Sequence, residues 1–403
     1  MKNELELFIS VERAKALIKQ YTSCLPPRAQ SLGKAVGYRL SNPVYSEWDV
    51  PAFWQSSMDG YAFAWEAGRT VYQLAGEVPA GSDRPLTVGL GEAVRIFTGA
   101  PLPDGTDTVV MQEKSKVEGS CLQLLDPEVV KGMNVRAPGS DIAAGNLAMD
   151  RGERLFPGAV GFLAGMGKTE VEVYPRPKAT ILVTGNELQV PGQPLLYGQV
   201  YESNSVALQA ALVQLGIEDI WVEWVKDDKE QLQKAIERAL ERSDLLLVTG
   251  GVSVGAYDFT VEAAKGAGVE LVFHKIKQKP GKPLLFGRRD ARLFFGLPGN
   301  PASVLTCFYE YVFPAIGQMQ GLWHSLSVRS APLAVGFKKK PGLTQFMKAR
   351  LDGEAVHLTV AQASYQLAGF ATANCLAVFP ESVEEVKAGE LVEIHLLPND
   401  LGG

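Results

Sequence analysis

Two short apolar runs constrain this chain most: ATILVTG at 179–185 and LLLVTGG at 245–251. Neither alternates apolar with polar residues, so each reads as a strand buried on both faces. Helical patterns follow them. SNSVALQAALVQLG (203–216) has Ser or Asn at its start and Gly216 just past its end. DDKEQLQKAIERALERS (227–243) places Asp227 and Glu230 as an acidic capping box, and DFTVEAAKGAG follows the second run. Strands and helices alternating in this way predict a mostly parallel sheet with helices on both faces, a three-layer α/β/α domain over 177–325. Ligands of such sheets bind beyond the carboxyl ends of the strands, where both glycine loops lie.

The flanking sequence has another texture. Ser10 can cap a helix over 10–21, in which Val11, Ala14, Ile18 and Tyr21 recur at helical spacing. From about 45 to 145 short apolar pieces alternate with turn pairs, a β-rich pattern, and GAVGFLAGMG then reads as a helix before the Pro175-Arg176-Pro177 linker. From 326 the chain returns to short strands (LAVGF, AVHLTV, LVEIHLL). The expected class is therefore multidomain, α/β plus β. Its expected parts are a linking domain (1–45 and 142–176), an inserted β-rich module (46–141), the central α/β domain (177–325) and a small C-terminal β domain (326–403). A length of 403 residues suits two to four such domains. A net charge of −6 argues against a general nucleic-acid binder. Four scattered cysteines without a CxxC pair fit a reducing compartment. An acidic N-terminus unlike a signal peptide, with no spanning apolar run, makes a cytoplasmic protein without membrane contact the expectation.

The loop GGVSVG after the second strand is neither a Walker A motif nor GxGxxG. Gly250 and Gly251 let backbone N–H groups approach an anion, Ser253 can donate a hydrogen bond, and Asp258 can ligate a hard cation. The same residues also serve an ordinary tight turn with Asp258 as a helix cap. In GLPGNPAS, after Pro298, Asn300 is placed to cap a helix and Pro301 to occupy its first turn. The N–H groups near Ala302 and Ser303 would then face an anion, although many helices begin this way. Lys275, Lys277 and Lys279 alternate and share one face if the chain is extended, and Lys282 follows in PGKP. Beside two anion-type loops, a lysine-lined oxyanion pocket is a better account than a solvated edge. Asp59, Asp141, Glu187, Asp227 and Asp228 each suit a turn or cap, but together they suggest Mg²⁺. No Ser-His-Asp or Cys-His pattern stands out: His274 reads as structural and Cys307 falls inside a helix. The expected chemistry is electrostatic.

SSMDGYAF, RIFTGAPLPDGTDTVVMQE, APGSDIAAG, TGNEL, ESNS, TGGVSVGAYDF, KPGKP and GLPGNPAS, in this order and spacing from about residue 5 to 395, resemble the MoeA-type molybdopterin molybdenumtransferases, relatives of the gephyrin C-terminal domain. The resemblance implies an L-shaped four-domain subunit with a barrel-like C-terminal domain, working as a homodimer with a shared active site. It implies insertion of molybdate into adenylylated molybdopterin, with Mg²⁺ present and AMP released. Contacts with the adenylylating partner enzyme and with recipient molybdoenzymes are implied too. Carried over motif by motif, Asp59, Thr98, Asp141, Glu187, Asp228, Asp258, Lys275 and Lys279 become catalytic candidates. Asp258, Asp227 and Glu187 become metal ligands, Asp258 first. Gly250, Gly251 and Ser253 should meet phosphate or nucleotide. Lys282, Pro298, Asn300, Pro301, Ser303 and Ser364 complete the binding set. Tyr365 stands where many relatives carry His, and Lys348 where arginine is common, which removes a bidentate fork. Competing expectations are a gephyrin-like scaffold with weak catalysis and the smaller adenylylating relative, which usually reads GGTG in place of GGVSVG.

Overall fold

The computed structural model describes residues 5–82, 86–250 and 257–398, with Tyr257 and Asp258 described by their backbone alone. Gly251 and Ser253 lie outside the described residues. The chain divides into two compact units, Met1–Arg28 with Tyr174–Gly403, and Ala29–Val173.

The first unit is built on a seven-stranded sheet. Its strands are β1 (Glu6–Ile9), β2 (Ala179–Thr184), β3 (Ile220–Val225), β4 (Leu245–Thr249), β5 (Glu270–Ile276), β6 (Leu285–Arg289) and β7 (Arg292–Leu297), in the order β1-β5-β6-β7-β4-β2-β3. All neighbouring pairs are parallel except the two made by β6. Ile181, Val183, Leu245, Leu247 and Phe295 pack to one face with helices α1 (Val11–Tyr21) and α2 (Asn204–Gln214). Leu182, Leu246, Val248 and Phe294 pack to the other with α3 (Lys229–Arg242) and α4 (Tyr257–Gly266). Burial of alternate side chains on opposite faces explains why these runs carry no polar alternation. Each fully buried Leu or Phe contributes about 1.5–3 kcal/mol of transfer free energy.

Two local expectations change. The N-cap of α3 is Asp228, whose Oδ1 accepts from the Gln231 N–H at 2.8 Å, one residue later than the capping box expected from Asp227. The same pattern fits both frames, and the short turn in which Asp228 N–H donates to the Lys226 carbonyl selects the later one. At the N-terminus, Ser10 does cap α1, with Oγ accepting from the Arg13 N–H at 3.2 Å. But β1 and α1 join the central sheet and its core rather than the linking segment. An apolar stripe shows that a helix buries one face; it does not show against which body.

Helix α5 (Pro301–Cys307) continues through a π-helical turn, Phe308–Val312, into Phe313–Met319. The wide turn carries Glu310, 2% exposed, to a buried ion cluster. Lys15 Nζ of α1 lies 2.6 Å from its carboxylate and His395 Nδ1 2.7 Å away, and His395 Nε2 reaches Glu393 at 3.0 Å. Burial pushes the Glu310 carboxyl up, but Lys15 and His395 outweigh it and leave the group below its ordinary range. Burial likewise pulls His395 down, and the bond to Glu310 reverses that.

His395 belongs to the C-terminal sheet, which runs Gln278–Lys279, Thr344–Asp352, Cys375–Phe379, Leu391–Leu396, Ser327–Pro332, with Ala355–Leu358 paired to Thr344–Asp352. Its first strand is lent by the central domain. Phe346, Leu376 and Val378 lie in the same core cluster as Phe273 and Phe308, so the two domains of this unit close on one another.

In the second unit a six-stranded sheet (Ser115–Glu118, Cys121–Leu124, Val71–Val78, Glu92–Ile96, Gly60–Phe63, Thr108–Met111) forms its own cores. Leu40, Ile142, Leu163 and Val173 form another around the helix Pro157–Gly165. Among the described residues no helix is long and apolar enough to cross a membrane.

Candidate active site

A cavity of about 1290 Å³ opens in the first unit at the carboxyl ends of β2, β4 and β7. Backbone forms this wall. Gly250 ends β4 with φ +84°, and a Cβ there would stand 1.9 Å from the Thr184 carbonyl oxygen, so only glycine lets the two strand ends approach. Gly299, after β7, faces Gly250 with room for an added atom, since a Cβ on it would lie 3.9 Å from the Gly250 Cα. Glu187 follows β2 and is exposed on the lining. Glu202, 1% exposed, closes the first turn of α2: Oε1 accepts from the Ser205 N–H at 2.8 Å and Oε2 from its hydroxyl at 2.5 Å. Beside it, the Asn204 amide donates to the Gly299 carbonyl at 2.9 Å.

A second wall is the loop from 278 to 283. Buried Gln278 donates through Nε2 to the Pro280 carbonyl at 2.9 Å and accepts from the Tyr311 hydroxyl. Gly281 (φ +90°) packs where a Cβ would meet Cys307 Sγ at 2.6 Å. Lys279 and Lys282 thereby project from a turn held from behind, and both line the cavity. Lys275 does not. Exposure alternates along 275–279, so Lys275, Lys277 and Lys279 lie on the outer side as expected, but of the three only Lys279 reaches the cavity. Lys277 Nζ goes to Glu381 at 3.3 Å.

The third wall comes from the C-terminal domain. Lys338, Lys339 and Lys340 all line it. Lys338 pairs with Glu385 at 3.1 Å. Lys339 Nζ donates to the Leu343 and Glu381 carbonyls at 3.0 and 3.4 Å, and burial lowers its pKa. Ser364 docks on the start of α5: its carbonyl accepts from the Ala302 N–H at 3.0 Å and its hydroxyl from Asn300 Nδ2 at 2.9 Å. Asn300 thus occupies the N-cap position without a side-chain cap bond, its amide spent on Ser364. Protein has already taken one of the N–H groups expected to face an anion. Lys348 is 2% exposed behind this loop, donating to the Ala363 and Gln366 carbonyls at 3.2 and 3.1 Å. Burial lowers its pKa. Its charge therefore holds the Ser364 loop instead of standing in the cavity.

Of the positions singled out in the sequence, Glu187, Gly250, Lys279, Lys282, Pro298, Asn300, Pro301, Ser303 and Ser364 surround this one cavity. Asp227 and Asp228 follow β3 and do not line it, and Asp228 is spent as a helix cap. The Asp258 side chain lies outside the described residues. Asp59, Thr98 and Asp141 belong to the second unit. There Asp59 Oδ1 accepts from the Thr98 N–H and hydroxyl at 2.8 and 2.7 Å, which holds its pKa below the ordinary carboxylate value. Asp141, with Asp49 and Arg136, lines a separate cavity of about 630 Å³. Among the described residues no group of three or more metal-ligand side chains assembles. His274 is buried and pushed down to about 4, first by burial and then by Lys275, in keeping with a structural role. Sequence reasoning quoted Glu202 and Asn204 only within the ESNS motif, without a role at the site, and missed the Lys338–Lys340 run. A triple lysine before Pro341-Gly342 was the available signal for the last.

Fold and cavity together define a multidomain α/β protein with a lysine-lined cleft at the strand ends. Three family models match in succession: the MoeA N-terminal region (domain I and II) over 9–167, a probable molybdopterin binding domain over 180–318, and the MoeA C-terminal region (domain IV) over 330–397. A molybdopterin molybdenumtransferase of Staphylococcus aureus is 30% identical, over 97% of this chain and 96% of its own. That of Haemophilus influenzae is 33% identical, over 92% and 94%. A crystal structure of the molybdopterin biosynthesis moeA protein from Pyrococcus horikoshii matches with a TM-score of 0.84 at 30% identity, covering 96% of this chain and 99% of that one. The chain belongs to the MoeA family, the molybdopterin molybdenumtransferases.

Proposed function

We infer that this chain is a molybdenum insertase, transferring molybdate into adenylylated molybdopterin with release of AMP. One observation carries the reading. In a chain matched by MoeA-region models on either side of a probable molybdopterin binding domain, a single cavity joins backbone loops built for close approach to lysines from two other walls. Gly250 and Gly299 accept the phosphoanhydride against bare backbone. Lys279, Lys282 and Lys340 offset the charge of phosphate and oxyanion, and Ser303 and Ser364 orient them. No nucleophile is required, and Cys307 does not offer one: burial pushes its thiol pKa far up. Mg²⁺, when bound, neutralises phosphate charge. Glu202 has both oxygens engaged, so Glu187 is the described cavity carboxylate left to hold the ion, with Asp258 as its expected companion. One or two carboxylates plus substrate phosphates are what Mg²⁺ ordinarily uses.

The family pattern extends the proposal to an L-shaped cytoplasmic homodimer, in which Asp59, Thr98 and Asp141 serve a site shared between subunits. The test is direct. Purified protein, adenylylated molybdopterin and Mg²⁺ are followed for AMP with and without molybdate. Molybdate-stimulated release is expected; release that is absent, or indifferent to molybdate, overturns the reading.

A further inference from the structure

Phe8 stands on the edge strand β1, 39% exposed, where no core needs it. Its backbone is left-handed, φ +54°, an outlying conformation for a bulky residue. Beside it on β5, Lys275 is left-handed too, with φ +64°. Register pairs Leu7 with His274 and Ile9 with Ile276, leaving Phe8 and Lys275 as a matched kink in two neighbouring strands. Such strain persists only where surrounding structure holds it, and it gathers where a side chain must be re-aimed. The Phe8 ring centroid lies 4.8 Å from Lys282 Nζ and 6.0 Å from Lys277 Nζ. Lys277 is also engaged with Glu381, whereas Lys282 lines the cavity.

An exposed lysine samples many rotamers and loses that freedom when it grips an anion. The negative face of an aromatic ring gives the ammonium a preferred place beforehand. We propose that Phe8 is a positioning residue of the active site, its ring holding the Lys282 ammonium at the cavity for the oxyanion of the substrate. This rests on the insertase reading. Pre-placing a charge lowers the cost of binding and leaves the chemical step alone, so the effect belongs to KM rather than kcat.

The test compares Phe8→Leu, Phe8→Tyr and Phe8→Trp in the full-length protein. Phe8→Leu should raise the molybdate KM about two- to fivefold, the range of one exposed cation–π contact, with kcat and Tm unchanged. Tyr and Trp should restore it. In a Lys282→Ala background, Phe8→Leu should add nothing further. An unchanged KM in Phe8→Leu, a full additional effect in the Lys282→Ala background, or a loss that tracks Tm instead of KM each overturns the proposal. Equilibrium binding of molybdate, read without turnover, separates the two readings. Wild-type protein that fails to turn over sinks the insertase assignment, whereas equal molybdate affinity of wild type and Phe8→Leu sinks this one.

Discussion

The central and C-terminal walls of the cavity are made by opposite means. On the central side shape comes from backbone: Gly250 lies against the Thr184 carbonyl, and Glu202 is sealed into its helix start. On the C-terminal side charge comes from side chains, Lys338 to Lys340, and from a serine loop held by the buried Lys348. The difference implies unequal tolerance. A backbone wall fails abruptly when an atom is added, whereas a charged wall degrades by degrees.

Gly250→Ala is the hardest blow to that contrast. With positive φ and a carbonyl oxygen 1.9 Å from the new Cβ, it should cost about 4 kcal/mol or displace β4, read by urea unfolding and loss of turnover. A fully active, equally stable variant would show that the central wall is not shaped by this approach. Glu310→Ala comes next, since it strands Lys15 and His395 and unfastens the C-terminal sheet from the long helix; about 3 kcal/mol of stability should go. Lys348→Met tests whether buried charge organises the second wall. Two lost hydrogen bonds to the Ser364 loop should lower kcat/KM roughly tenfold, with small change in stability because burying that ammonium was itself costly.

A smaller effect follows from titration. His395 has a raised folded pKa, so its contribution is full below the ordinary value of 6.5 and is lost as pH climbs through the folded value. Glu310 has a lowered one, so its contribution is present above 4.5 and is lost in stronger acid. Wild-type stability should therefore fall more than that of His395→Phe as pH rises from 6.5 through the folded His395 value. Parallel pH curves would remove His395 from the clamp. Least of all, Lys340→Ala should raise the KM for the anionic substrate about twofold, most visibly at low salt.

Much of the cleft was legible because its motifs are local. Gly250, Lys279, Lys282 and Asn300 mark loops whose positions follow from where strands end. Local pattern misled where neighbours intervened. Lys275 does not reach the cavity and sits in a backbone kink beside β1, a segment 267 residues away by the Leu7–His274 pairing (274 − 7). Asn300 stands at the N-cap position without a side-chain cap bond, and its amide donates to the Ser364 hydroxyl across the chain. Lys348 is defined by its burial behind the loop rather than by its charge alone.

By itself the sequence determined the mostly parallel sheet and the places of the glycine loops, since apolar periodicity and turn chemistry act over a few residues and need no partner; the family was legible from the resemblance of its ordered motifs. Only the tertiary structure decided that β1 and α1 complete the central sheet. It also decided that Lys338 to Lys340 face the same cavity as Lys282, and that Glu310 meets Lys15 and His395. Those outcomes depend on contacts between segments far apart in the chain. Their energies come from burial and pairing, which no local pattern carries.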